Sequence, residues 1–208
     1  MPGIEGLLSE VAPRTLLPTF LDAVAVASGE IAAEKQRHGR EIPTGERFRR
    51  ALVSLHASGA VDRAAEWMAQ RHMASLADAV ICPSDRPALL RELAARRPIA
   101  LVSNFDDGPT ARRLLDRFNL TSAFRSIRVS AEVGVIKPSA EIFLAACEDL
   151  GVEPSDALHV GDSVSADIRG AAAVGMRALW VGAGPCDVAI GTIADLSDVP
   201  RWLADRYG

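Results

Sequence analysis

Residues 157–182, ALHVGDSVSADIRGAAAVGMRALWVG, leave few folds open to this chain. An apolar run ends at Val160 and a glycine turn follows it. Asp162 and Asp167 then stand five residues apart across the mouth of a new helix, and a second short strand, residues 178–181, comes after Gly175. Carboxylates at the carboxyl end of a buried strand form a hard oxygen-ligand site of the kind Mg²⁺ takes. Helix capping needs only one acid, so it accounts for Asp162 and leaves Asp167 without a role.

Two further segments supply complementary groups. Residues 98–104, PIALVSN, read as an apolar strand ending in the hydroxyl of Ser103, with the loop FDDGPT before a helix expected over 111–118. In residues 132–147, EVGVIKPSAEIFLAAC, Lys137 precedes Pro138 and an amphipathic helix for which Ser139 is the expected cap. Hydroxyl, lysine and acidic pair therefore occur in that order, each near a strand end or a helix start. A phosphoryl group calls for such parts: a hydrogen-bond donor, a fixed cation, and a metal held by carboxylates. Singly each residue has an ordinary explanation; the ordered set is far more specific.

The same residues resemble the haloacid dehalogenase superfamily, made mostly of Mg²⁺-dependent phosphatases. VSNFD at residues 102–106 is similar to that family's second motif, Lys137 in VIKPSAEIF to its third, and GDSVSAD at residues 161–167 to its fourth. The likeness covers roughly residues 83–205. It implies a Rossmann-like α/β core, a parallel sheet with crossover helices, in residues 83–208 and a helical cap in residues 1–82. It also implies that Ser103 and Lys137 serve catalysis and that Ser103, Asn104 and Lys137 bind phosphate. Asp162 is then a Mg²⁺ ligand, and Asp167 a ligand or the partner behind one. The implied substrate is a small phosphorylated metabolite.

One motif of the family is missing. Its first strand ends in Asp-x-Asp, whose first aspartate becomes an aspartyl-phosphate and whose second is the acid and base. The nearest string here is FLDAVAV, where Asp22 is followed two places later by Val24, inside a stretch with Leu17, Leu21, Val24 and Ser28 at helical spacing. In the fold of the family the absent strand lies between those ending at Ser103 and Val160. Its removal would leave backbone groups of both neighbours unpaired, about 1–3 kcal/mol each if unsatisfied. Three accounts are open: a start inside a longer protein, which is favoured; loss of the nucleophile with retention of a binding or scaffold role; or completion by another segment or chain. Little turnover is expected of the 208-residue chain itself. A dehalogenase is the lesser alternative, because that group has Ser-Asn where this chain has Gly161-Asp162 and a second acid. A phospho-receiver domain is disfavoured, because its acidic pocket comes early in the chain and a long helical stretch precedes the sheet here.

Composition fits one compact core plus a helical region: 208 residues, 49% hydrophobic, net charge −4 with both signs interspersed. No electrostatic footprint of nucleic acid or of an anionic membrane is present, and no apolar run approaches the ~20 residues that span a bilayer. The three cysteines, Cys82, Cys147 and Cys186, lack zinc-ligand spacing and read as thiols of a reducing cytoplasm. Residues 5–80 read as about four helices, with breaks near 39–43 and 58–59. Phe20, Phe48 and Trp67 read as core packing, and Arg14, Arg37, Arg47, Arg49 and Arg50 as a solvated face, with contact to an anionic substrate as the alternative. The tail, residues 193–207, reads as a short strand and a terminal helix held down by Trp202.

Overall fold

The computed structural model describes residues 3–207, and the chain divides after Val80 into two compact units. The first holds α1 (Ile4–Val11), α2 (Leu17–His38), α3 (Gly45–Ser54) and α4 (Val61–Ala79). The predicted breaks separate α2 from α3 and α3 from α4. Helix α2 stops where Gly39 takes the left-handed conformation (φ 65°), with Lys35, Arg37 and His38 in its last turn, where cations suit the helix dipole. Its buried seam runs through Phe20, Ala27 and Ile31, with Val24 packed against it. The stretch with Leu17, Leu21, Val24 and Ser28 at helical spacing is helical as expected, and Leu17 also packs against this core. Leu21 is 54% exposed, and the larger ring of Phe20 takes the core position. Phe48 is buried in the same core and Trp67 is packed against it.

The second unit alternates helices with parallel strands. Its elements are α5 (Arg86–Arg96), β1 (Ala100–Ser103), α6 (Gly108–Arg117), β2 (Ser126–Val129), α7 (Ser130–Val133), α8 (Ala140–Leu150), β3 (Leu158–Gly161), α9 (Arg169–Ala173), β4 (Arg177–Val181), β5 (Gly191–Ile193) and α10 (Val199–Tyr207). Asp107 starts α6 by accepting from Thr110 N at 2.8 Å, three residues ahead of the expected start. Ser139 sits at the N-cap position of α8, but its side chain makes no capping bond. β2 carries no strong alternating signal; it forms because Ser126–Val129 lie in parallel register on Ala100–Ser103.

The strands fall into two sheets, β1-β2 and β3-β4-β5. Strand β4 has neighbours on both sides and buries Ala178 and Leu179 almost completely. Strands β1 and β3 each stand at the end of a sheet, and all their residues are only half-buried. These are the two strands between which the missing one is expected. Among the described residues none pairs as a strand with their outer edges. Helix α8 packs on β1 and β2, and its Phe143 ring meets His159 of β3 edge-on at 5.1 Å, so one helix touches both sheets. The opposite side of β3 and β4 is closed by Leu179, Ile193, Val199 and Leu203, with Trp202 of α10 packed against them.

No helix among the described residues is long and apolar enough to cross a membrane. All three cysteines are free thiols, and burial raises the pKa of Cys147.

Candidate active site

Strand β1 delivers Ser103 and then Asn104 to its carboxyl end. The Asn104 side chain is a two-way clamp on the backbone of Lys137. Its Nδ2 donates to Lys137 O at 3.0 Å, and its Oδ1 accepts from Lys137 N at 2.7 Å. Ser130, fully buried at the start of α7, holds the next residue, with its Oγ accepting from Phe105 N at 2.9 Å and donating to Phe105 O at 3.2 Å. The chain just after Ser103 and the segment that carries the lysine are thus bolted together.

The Lys137 ammonium is fixed at two points. Nζ donates to Val102 O of β1 at 2.8 Å and to Asp167 Oδ1 at 2.6 Å. A strand with one free edge has carbonyls in search of donors, and the lysine satisfies one of them.

Asp167 reaches this position because the chain after β3 opens with a π-helical turn, Val164–Ile168, in which Ile168 N donates to Ser163 O five residues back. Such turns recur at functional sites. This one folds the Asp167 carboxylate back under the strand end, where Oδ2 accepts from Ser163 N at 3.0 Å and Oδ1 lies 3.0 Å from His159 Nε2. The approach is so close that a Cβ at Gly161 would sit 2.4 Å from Asp167 Cγ, which is why glycine ends the strand. Burial alone would push the Asp167 carboxyl up. The His159 and Lys137 hydrogen bonds, the Lys137 charge and the Ser163 N–H outweigh it and hold the group well below the usual carboxylate range.

Asp162 has a different setting. Its backbone oxygen accepts from Trp180 Nε1 at 3.1 Å, and the next peptide N–H is the one that binds Asp167. Glycine at 182 leaves room for the indole: a Cβ there would lie 2.4 Å from Trp180 Cε2. The backbone of Asp162 is therefore pinned on both sides while its residue stays exposed, with no side-chain partner among the described residues.

Direct bonds join Lys137, Asn104 and Asp167; Ser103 lies between Val102 and Asn104, both bonded to Lys137, and Asp162 adjoins Ser163. Asp22 belongs to α2 in the other unit. His159, Trp180 and Ser130 were not singled out in the sequence. His159 and Trp180 lie within the motif stretch, but a reading centred on acids passes over them, and Ser130 has no local signature.

Among the described residues no three His, Cys, Asp or Glu side chains converge as a ready ion cage. Mg²⁺ does not require one, since it keeps several waters and takes one or two carboxylates together with substrate phosphate oxygens. The exposed Asp162 carboxylate fits that habit. Both oxygens of Asp167 are already engaged, which suits it to stand behind the site and hold Lys137.

Three comparisons bear on this geometry. The family model described as haloacid dehalogenase-like hydrolase matches residues 17–175. A phosphoserine phosphatase of Thermus thermophilus is 37% identical over 138 residues, 66% of this chain and 53% of that protein. The N-acylneuraminate-9-phosphatase of Mus musculus is 33% identical over 103 residues, 49% of this chain and 41% of that protein. The chain spans about half the length or less of these curated relatives. Among solved structures, a 2-haloacid dehalogenase from Pseudomonas syringae superposes with a TM-score of 0.72 at 24% identity, covering 97% of this chain and 88% of that one. The HAD-hydrolase YfnB from Bacillus subtilis, bound to magnesium, gives 0.64 at 19% identity, covering 95% and 87%. At these identities the likeness shows the fold alone.

Proposed function

Because the chain belongs to the haloacid dehalogenase-like hydrolase family, we propose that it carries the phosphate-handling part of a Mg²⁺-dependent phosphohydrolase for a small phosphorylated metabolite. The observation that carries this reading is the Lys137 ammonium, held between the carbonyl of Val102, the residue before Ser103, and the buried Asp167 carboxylate. A fixed cation needs no reorganisation when it meets an anion, which makes it more effective than a mobile surface lysine. Ser103 is the hydrogen-bond donor for a phosphoryl oxygen, Asn104 sets the height of the lysine backbone, and Asp167 keeps the ammonium aimed. Asp162 would hold Mg²⁺, with water and substrate oxygens as the remaining ligands; the ion would neutralise charge on the phosphoryl group. The names of the phosphatase relatives support phosphate as the group handled. The helices of residues 1–82 serve in this reading as the cap that selects the substrate.

Attack on phosphorus requires a nucleophile, and the sequence contains no Asp-x-Asp. The 208 residues by themselves therefore bind the group and turn it over slowly or not at all. That same absence favours a second reading, a noncatalytic module that retains phosphate and Mg²⁺ affinity. Calorimetry with Mg²⁺ and tungstate, an inert phosphate mimic, is expected to show binding that Asp162→Asn weakens. Absence of binding would overturn the proposal. Mg²⁺-dependent hydrolysis of a generic phosphate ester that disappears in Asp162→Asn would overturn the inactivity and remove the second reading.

A further inference from the structure

His159 is the polar group at the site that the proposed chemistry leaves unused. Side chains alternate along a strand, so Leu158 and Val160 pack against the Leu179 cluster while His159 points to the other face. There its ring stands edge-on to the fully buried Phe143, and its Nε2 lies 3.0 Å from Asp167 Oδ1. A polar ring set into an apolar wall needs a partner, and a carboxylate can only accept, so Nε2 carries a proton and donates it. The oxygen it meets is the one that already takes Lys137 Nζ at 2.6 Å. With Ser163 N on the second oxygen, three donors fix the rotation of the Asp167 carboxyl group.

We propose that His159 is a positioning residue: it locks the Asp167 carboxylate in the orientation that keeps the Lys137 ammonium against Val102 O. Remove the imidazole donor and Oδ1 retains only the lysine, so Ser163 N is left as the one other donor holding the carboxylate and the ammonium is fixed less tightly. The function of this lock rests on the reading of Lys137 as the phosphate-facing cation, but the lock itself is a property of the folded chain.

The sequence makes the test direct, because it contains only two lysines, Lys35 and Lys137. Lys35 is paired with Glu41 in the other unit and serves as the internal reference. Limited acetylation of the purified chain, read by peptide mass spectrometry, yields the Lys137 to Lys35 labelling ratio. His159→Leu keeps apolar bulk and removes the donor, whereas His159→Gln restores an N–H. The ratio is expected to rise about three- to tenfold in His159→Leu, the scale of one hydrogen bond, and to fall back in His159→Gln. Tungstate affinity should drop and recover in parallel. An unchanged ratio in His159→Leu overturns the proposal, and so does an equal rise in both variants accompanied by the same loss of melting temperature, which marks a packing role. Should either variant fail to fold, the parent still decides: its long-range ¹⁵N–¹H spectrum must place the His159 ring proton on Nε2, and a proton found on Nδ1 alone overturns the assignment. If the parent binds no tungstate but the labelling ratio responds as expected, the phosphate reading fails and the lock stands.

Discussion

In the helical unit the backbone hydrogen bonds close within each helix, whereas in the strand-bearing unit β1 and β3 each have, among the described residues, a strand neighbour on one edge only. The two units consequently depend on different things. The first is held by side-chain burial: Phe20, Leu52 and Met68 are each at most 2% exposed, and small residues such as Ala51, Ala64 and Ala65 let the helices approach. The second also buries a core around Ile142, Phe143 and Ile168. At the ends of β1 and β3, however, it substitutes side-chain bonds for missing ladder bonds. Lys137 takes a carbonyl of β1, and Asp167 takes the N–H of Ser163 just past β3. A helix can be complete alone; a strand cannot, and the groups it leaves open are available for a site.

The sharpest break in this comparison comes from Lys137→Met. It strips the counter-ion from a buried carboxylate and is expected to cost about 3–5 kcal/mol in urea denaturation, with loss of tungstate binding. If stability and binding both survive, the lysine is not what joins the strand ends. Leu52→Ala empties a fully buried position in the helical unit, and a cost of about 2–5 kcal/mol is expected, while the folded protein keeps its tungstate affinity. Loss of affinity there would show that the units do not divide the work as described.

The smallest effect belongs to Glu46, on the surface of the helical unit. It donates no proton to its neighbours; it accepts from Arg49 at 2.6 Å and from Arg50 at 2.9 Å. The Arg49 hydrogen bond, ahead of the Arg50 bond and both charges, overcomes a partial desolvation and lowers its pKa to about 2. A folded value below the unfolded one stabilises the protein above the unfolded carboxylate pKa, and that contribution is lost as pH falls through about 2. Because Arg49 is exposed and Glu46 and Arg50 are partly so, Glu46→Gln should cost about 1 kcal/mol or less near neutrality. The difference from the parent should shrink with added salt and as pH drops below about 4. A larger cost, insensitive to salt, would make Glu46 behave like the largely buried Lys35–Glu41 pair of the same unit rather than a surface pair.

Much of the layout was legible in the residues. Gly39 and the 58–59 break mark helix ends because backbone permissiveness is a local property, and Phe20 and Phe48 belong to the core because large apolar side chains have few other places to go. The period Leu17, Leu21, Val24 and Ser28 marks α2 as a helix but does not say which of those side chains are buried: Leu17 and Val24 pack against the core and Leu21 does not. Only packing partners choose between them. β2 went unread for a related reason: four residues of weak pattern become a strand when a parallel neighbour supplies the ladder.

The order hydroxyl, lysine, acidic pair was settled by the sequence itself, because residue chemistry and spacing along strand ends survive without coordinates. So was the alternation of strands and helices after residue 97, which follows from hydrophobic period. Tertiary structure alone decided how the two aspartates differ. The π-helical turn carries Asp167 inward to Lys137, Ser163 and His159, and the Trp180 bond leaves the Asp162 side chain facing out. Hydrogen bonds between residues far apart in the chain, or across an irregular turn, depend on where backbones meet, and no local pattern encodes that meeting.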